Sequence, residues 1–357
     1  MKVSTFLKKY LFRTIVILIM IGTLLYFFLR LWKQGELAST FLVYRDAIIS
    51  MLILALILMI SSLFIKAYRF YILIKASSEH LTFKGFLIPF FVGYGFSTIG
   101  PLKSGEIVSV EINKRSISVP RSSSLAAIAF FRILDLLFVL VFFIVALGIT
   151  IPKINPTNII IYQIIFYVTL GITILLSFIL FFPPVGHFCF RLIKKLVGKF
   201  SSKGENWLEE TILPALKNYY TSLQYLYKQK LIAGVVVITT VLRWVLEFYS
   251  LKVTLLAFSE YIPFIDAAGI SSITLLAGII TPAGLGTGTI TAQALLEGVS
   301  ATITPAIAAA TVIFQTLVGT GLTLSVAALS SIFIKEKKLD PEQILSEVEE
   351  KTTEEES

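Results

Sequence analysis

A chain of 357 residues that is 56% hydrophobic and 15% charged, with a mean hydropathy of +0.86, has too little polar surface for a soluble fold and reads as a polytopic membrane protein. Its net charge of +9 lies mainly between the apolar runs, so it bears on membrane orientation and does not point to nucleic acid. One cysteine, Cys189, excludes an internal disulfide, and His80 and His187 lack ligand-like neighbours, so neither a metal nor another cofactor is expected.

The chain opens with Lys2, Lys8, Lys9 and Arg13 ahead of an apolar run with no small-residue cleavage site, which predicts an uncleaved first span over residues 11–31. Further spans are predicted over 47–65, 124–151, 159–182, 231–250 and 305–334, each near the ~20 residues a bilayer requires. Two other apolar regions, 86–110 and 265–296, are interrupted in the middle. The first contains Ile99-Gly-Pro-Leu-Lys-Ser-Gly-Glu106, and the second contains Ile280-Thr-Pro-Ala-Gly-Leu-Gly286. Pro and Gly break helices, and irregular backbone at membrane depth persists only against protein or a watery cavity. Each half of these regions is too short to span, so each predicts a re-entrant helical hairpin. Residues 187–200 place Cys189, Leu192, Ile193, Leu196, Val197 and Phe200 on one helical face and Arg191, Lys194, Lys195 and Lys199 opposite. That pattern suits an amphipathic helix on an anionic leaflet, and the Tyr-rich stretch 207–227 continues the style. Residues 336–357 read as a Glu-rich, disordered tail.

Loop charge orients these elements. With the N-terminus inside and both hairpins re-entrant, Lys66–Lys84, Lys114–Arg121, the 186–230 segment and Lys335–Lys338 all fall on the cytoplasmic face. The first hairpin then enters from inside and the second from outside. Ile280, Pro282 and Gly286 each lie 181 residues after Ile99, Pro101 and Gly105, and Glu260 and Phe264 stand in the same relation to Glu79 and Phe83. The expected fold is therefore an all-α polytopic integral membrane protein with two inverted-topology repeats, each with a re-entrant helical hairpin. Residues 1–335 form one transmembrane domain, with repeats over 46–151 and 231–334 and both termini cytoplasmic in a cell (plasma) membrane.

Charges within spans default to functional candidates. At the first hairpin tip, Lys103, Ser104, Gly105 and Glu106 combine helix N–H groups with a point charge, which suits an anion such as a phosphate. A tip that reaches the interface would leave the same charges merely solvated. Arg132 and Asp135 lie i,i+3 on the predicted span 124–151 and can neutralise each other, as a structural pair or as ligand contacts. In the second half, Thr281, Gly284, Gly286 and Thr287 form the facing loop, and Gln315 is an amide that needs a partner in an apolar helix. Arg243 and Glu247 are expected to pair at i,i+4, whereas Lys66 and Arg69 are expected to snorkel to the interface. No nucleophile–base constellation, P-loop or ligand spacing points to catalysis, and the chain is not expected to be an enzyme.

Three of these stretches carry a family resemblance. Pro101-Leu-Lys-Ser-Gly-Glu106 resembles the Pro-Gly-Arg-x-Gly-Glu signature of the flippase-like, lysylphosphatidylglycerol synthase transmembrane family. Phe131-Arg132-x-x-Asp135-Leu is similar to its Glu-Arg-x-x-Asp-Leu motif, and Pro282-Ala-Gly-Leu-Gly286 to its Pro-Gly-Gly-Leu-Gly motif. The resemblance implies translocation of a lipid or lipid-linked head group between leaflets, with membrane lipids as partners and a glycosyltransferase or lipid-synthesis enzyme as a companion. A secondary transporter of a small anionic solute and a non-transporting scaffold are the alternative readings. The chain departs from the family at Phe131, Thr289 and Gln315, where charged residues are frequent, so its second half carries less charge.

Overall fold

The computed structural model describes residues 37–75, 81–99, 105–150, 159–198, 208–278 and 287–333, with isolated positions at 25, 29, 32, 35 and 152. The predicted first span apart from positions 25 and 29, the acidic tail and both hairpin tips, including Lys103, Ser104, Thr281, Gly284 and Gly286, lie outside the described residues. Among the described residues the secondary structure is helical, with no strand.

We number the helices α1 (Leu37–Arg45), α2 (Ile49–Lys75), α3 (Phe83–Ile99), α4 (Glu106–Ile117), α5 (Arg121–Ile149), α6 (Ile159–Phe181), α7 (Pro183–Gly198), α8 (Leu213–Lys228), α9 (Lys230–Ala257), α10 (Phe264–Gly278), α11 (Thr287–Val299) and α12 (Pro305–Phe333). Helices α2, α5, α9 and α12 are long and apolar enough to cross a membrane, and α6 with its bent continuation α7 is a fifth candidate. The chain is thus a multi-pass membrane protein. Helix ends follow local chemistry. The Thr304 hydroxyl caps α12 by accepting from the Ile307 N–H, with Pro305 in the first turn. Ser118, at φ 57°, ends α4 in the left-handed region just before Pro120. Predicted and observed spans differ chiefly at α2, which runs on to Lys75 because the polar residues of its last turns face protein.

Helices α9, α10 and α11 begin 181 residues after α2, α3 and α4 respectively. α2 and α9 run antiparallel: Ile48 N–H donates to the Ala257 carbonyl, Ser62 to Glu247, and Arg69 to Thr240, so partner numbers fall as α2 proceeds. The members of each short pair are antiparallel as well. Gly93 of α3 meets Ser109 of α4, while the Thr287 hydroxyl of α11 donates to the Ala277 carbonyl of α10. α4 has 12 residues, about 18 Å of helix, and α11 has 13; neither reaches across a hydrocarbon core of ~30 Å.

Each pair packs on the last span of the other half. A Cβ at Gly95 of α3 would lie 2.3 Å from the Ala327 Cβ of α12, and one at Gly269 of α10 would lie 2.7 Å from the Ala146 Cβ of α5. Ala327 stands 181 residues after Ala146, so the two contacts use the same alanine position. Small residues permit this close approach where the bilayer offers no hydrophobic drive between helices. Two apolar cores result. One is built on Phe70, Phe86, Phe90 and Phe131, the other on Phe143, Phe248, Leu255 and Ile270.

Helix α7 turns 98° away from α6 and leaves Leu192, Ile193 and Leu196 uncovered by protein. The tyrosines of α8 dock it beneath α6: the hydroxyls of Tyr219 and Tyr220 donate to the carbonyls of Leu180 and Ile179.

Candidate functional site

Polar residues on α2 recur at 62, 66 and 69, and those on α9 at 240, 243 and 247, which is the spacing of one helical face. These faces meet in the α2–α9 seam. Arg69 is fully buried and forks onto Asp135 of α5 with Nη1–Oδ1 at 2.7 Å and Nη2–Oδ2 at 3.0 Å, while Nη1 also reaches the Thr240 hydroxyl. Asp135 Oδ1 accepts in addition from Trp244 Nε1 at 3.0 Å and Arg243 Nη1 at 3.4 Å. A bidentate guanidinium with further donors is the arrangement that makes a buried carboxylate tolerable.

Two sequence expectations are corrected here. Arg132 and Asp135 do not pair. Asp135 turns into the seam, where two arginines and an indole await it, and Arg132, one turn earlier, forms an ion pair with Glu106 in the first turn of α4. Nor do Lys66 and Arg69 snorkel: they are 7% and 0% exposed, because α2 continues beyond them and α9 covers their face. Two other expectations match the structure. Arg243 Nη2 lies 3.6 Å from Glu247, and Gln315 finds partners in the hydroxyls of Thr254 and Ser250.

A first cavity opens between α2, α3, α4 and α5, with a free interior of about 20 Å³, room for roughly one water. Lys66, Arg69, Arg132 and Glu106 line it together with Tyr94 and Asn113. Lys66 donates to the Tyr94 hydroxyl and makes no ion pair among the described residues, so two of its three N–H bonds have no partner there. Arg69 Nε and Arg132 Nε are buried and equally without partners among the described residues. Lys66, Arg69, Arg132 and Arg243 face Glu106, Asp135 and Glu247, which leaves one positive charge in excess when all are ionised. Gly105 serves packing: as N-cap of α4 it lies so close to Phe96 that a Cβ would sit 2.0 Å from the Phe96 carbonyl oxygen.

A second cavity lies between α9, α10, α11 and α12, with a free interior of about 240 Å³. Its walls repeat those of the first at a spacing of 181: Lys66 corresponds to Glu247, Tyr94 to Leu275 and Phe131 to Val312. The guanidinium positions do not repeat as cations, since Arg69 corresponds to Ser250 and Arg132 to Ile313. Gln315 lines this cavity from a π turn, Phe314–Val318, that interrupts α12. Thr287 is not part of the wall; its hydroxyl ties α11 to α10.

Lys66, Arg69, Tyr94 and Trp244 escaped the sequence reading as site residues. The signal that could have found them was the polar face at 62, 66 and 69, matched by one on α9 at the offset that aligns the hairpins. Among the described residues no cluster of three or more His, Cys, Asp or Glu could hold a metal ion.

In comparison with known proteins, a family model described as the lysylphosphatidylglycerol synthase TM region aligns with residues 14–325. No curated protein and no solved structure matches the chain. The matched residues include α2 to α11 and all but the last turns of α12, and with them both cavities, so the chain belongs to the family of lysylphosphatidylglycerol synthase transmembrane regions.

Proposed function

We propose that this membrane protein carries an anionic lipid head group between leaflets, with Lys66 and Arg132 holding the phosphate once the first cavity, here closed to about one water, widens. The observation that carries the reading is a pair of cations lining one cavity with donors to spare: Lys66 Nζ bonds the Tyr94 hydroxyl and makes no ion pair among the described residues, and Arg132 Nε has no partner there. Unpaired charge at membrane depth is costly and marks substrate paths. Glu106 and Asp135 hold Arg132 and Arg69 in place between substrate encounters. Lys103, three residues before Glu106, is assigned to the same anion on its sequence position.

The supporting architecture is a pair of inverted repeats, each a span, a re-entrant hairpin and a second span. Equal helix spacing, the antiparallel α2–α9 seam and the matched cavities favour it. The plasma membrane, cytoplasmic termini and a lipid-synthesis or glycosyltransferase companion belong to the same proposal.

The test is transport of labelled phosphatidylglycerol by the full chain in proteoliposomes. Lys66→Ala combined with Arg132→Ala should lower the rate at least tenfold in protein that retains its wild-type melting profile. Unchanged lipid transport by that variant overturns the assignment. Uptake of inorganic phosphate, lost in the variant while lipid movement is absent throughout, would identify a solute transporter instead.

A further inference from the structure

The anion reading leaves the second cavity without a role, although it is the larger of the two. Its chemistry differs from the first. The carboxylate in its wall, Glu247, is engaged by Arg243 at 3.6 Å and by the Ser62 hydroxyl at 2.9 Å, so the wall offers no unpaired charge among the described residues. What remains is neutral and rich in hydrogen-bonding groups: Thr274, Thr316, Thr320 and Ser271 hydroxyls and the Gln315 amide. Thr274 Oγ1 is buried without a partner among the described residues. The Gln315 amide spends one N–H on Thr254 and accepts once from Ser250, which leaves it one donor and one acceptor position. Trp244 adds an aromatic wall while its N–H is committed to Asp135.

An anion would find no free cation here, and a cation would meet a carboxylate already neutralised by arginine. A purely apolar ligand would leave the Thr274 hydroxyl and the Gln315 amide unsatisfied, which costs free energy. Several neutral donors and acceptors around an apolar face suit a neutral, polyhydroxylated group. We propose that the second cavity binds the polyol or sugar portion of a lipid head group. The site stands on its own lining; only the word lipid rests on the anion reading above.

The experiment compares dioleoyl phosphatidylinositol with dioleoyl phosphatidylmethanol, which share tails and a singly charged phosphodiester and differ by the polyol ring. Binding of each to the full chain in detergent micelles is measured by native mass spectrometry. Wild type should prefer phosphatidylinositol at least tenfold. Thr274→Val, which removes one hydroxyl at constant shape, and Gln315→Leu should each reduce that preference, and together bring it close to one. Lys66→Gln should weaken both lipids alike and keep the preference. A wild-type preference near one, or a preference that survives both second-cavity substitutions, overturns the proposal. A preserved preference with no effect of Lys66→Gln would overturn the anion reading and leave the polyol site standing.

Discussion

The two cavities share a frame and differ in chemistry. Each is walled by the first span of its half, a short antiparallel helix pair and the last span, and wall positions recur 181 residues apart. The first contains Lys66, Arg69 and Arg132 and encloses about 20 Å³; the second contains hydroxyls and an amide and encloses about 240 Å³. Helix packing therefore fixes the frame, and side-chain identity at equivalent positions sets what the cavity can hold.

Substitutions at equivalent positions can break this comparison. The largest effect is expected at Asp135. Its removal in Asp135→Ala leaves Arg69 buried and unpaired, and loss of one partner of such a pair costs ~3–5 kcal/mol. Thr316, which stands 181 residues later, has no comparable burden, and Thr316→Ala should stay within ~0.5 kcal/mol. Thermal unfolding in detergent reads both, and equal losses would mean that the first half is not the electrostatically locked one.

Smaller and symmetrical effects are expected at the helix crossings. Gly95→Val and Gly269→Val each drive a side chain into the alanine of the opposing span, an overpacking that costs ~1–3 kcal/mol. Similar losses in the two variants would sharpen the view that the frame is shared. A large loss in one and none in the other would show that the two crossings are not equivalent. The same unfolding assay decides.

Much of the frame is visible in the residues themselves. The clustered Pro/Gly interruptions announce both helix pairs, because proline and glycine disfavour helix and several together end it, whereas the single Pro89 is carried inside α3. The long apolar runs announce the spans, and Gln315 announces a polar partner, since an amide in an apolar helix is costly without one. The site was legible only in part. Arg132 and Asp135 were visible as charges in a span, yet their partners depend on how α5 is rotated against α2, α4 and α9, which i,i+3 spacing does not determine. Lys66 and Arg69 were hidden by a general rule. Long basic side chains near a helix end usually reach for water, but α2 extends to Lys75 and α9 seals that face.

The central claim is that the first cavity, and not its counterpart, engages the anionic group. The most direct measurement is proteoliposome transport of labelled phosphatidylglycerol by Lys66→Gln beside its positional counterpart Glu247→Gln. The account predicts a loss of at least tenfold for Lys66→Gln and a clearly smaller one for Glu247→Gln. Equal losses, or full transport by Lys66→Gln, would contradict it.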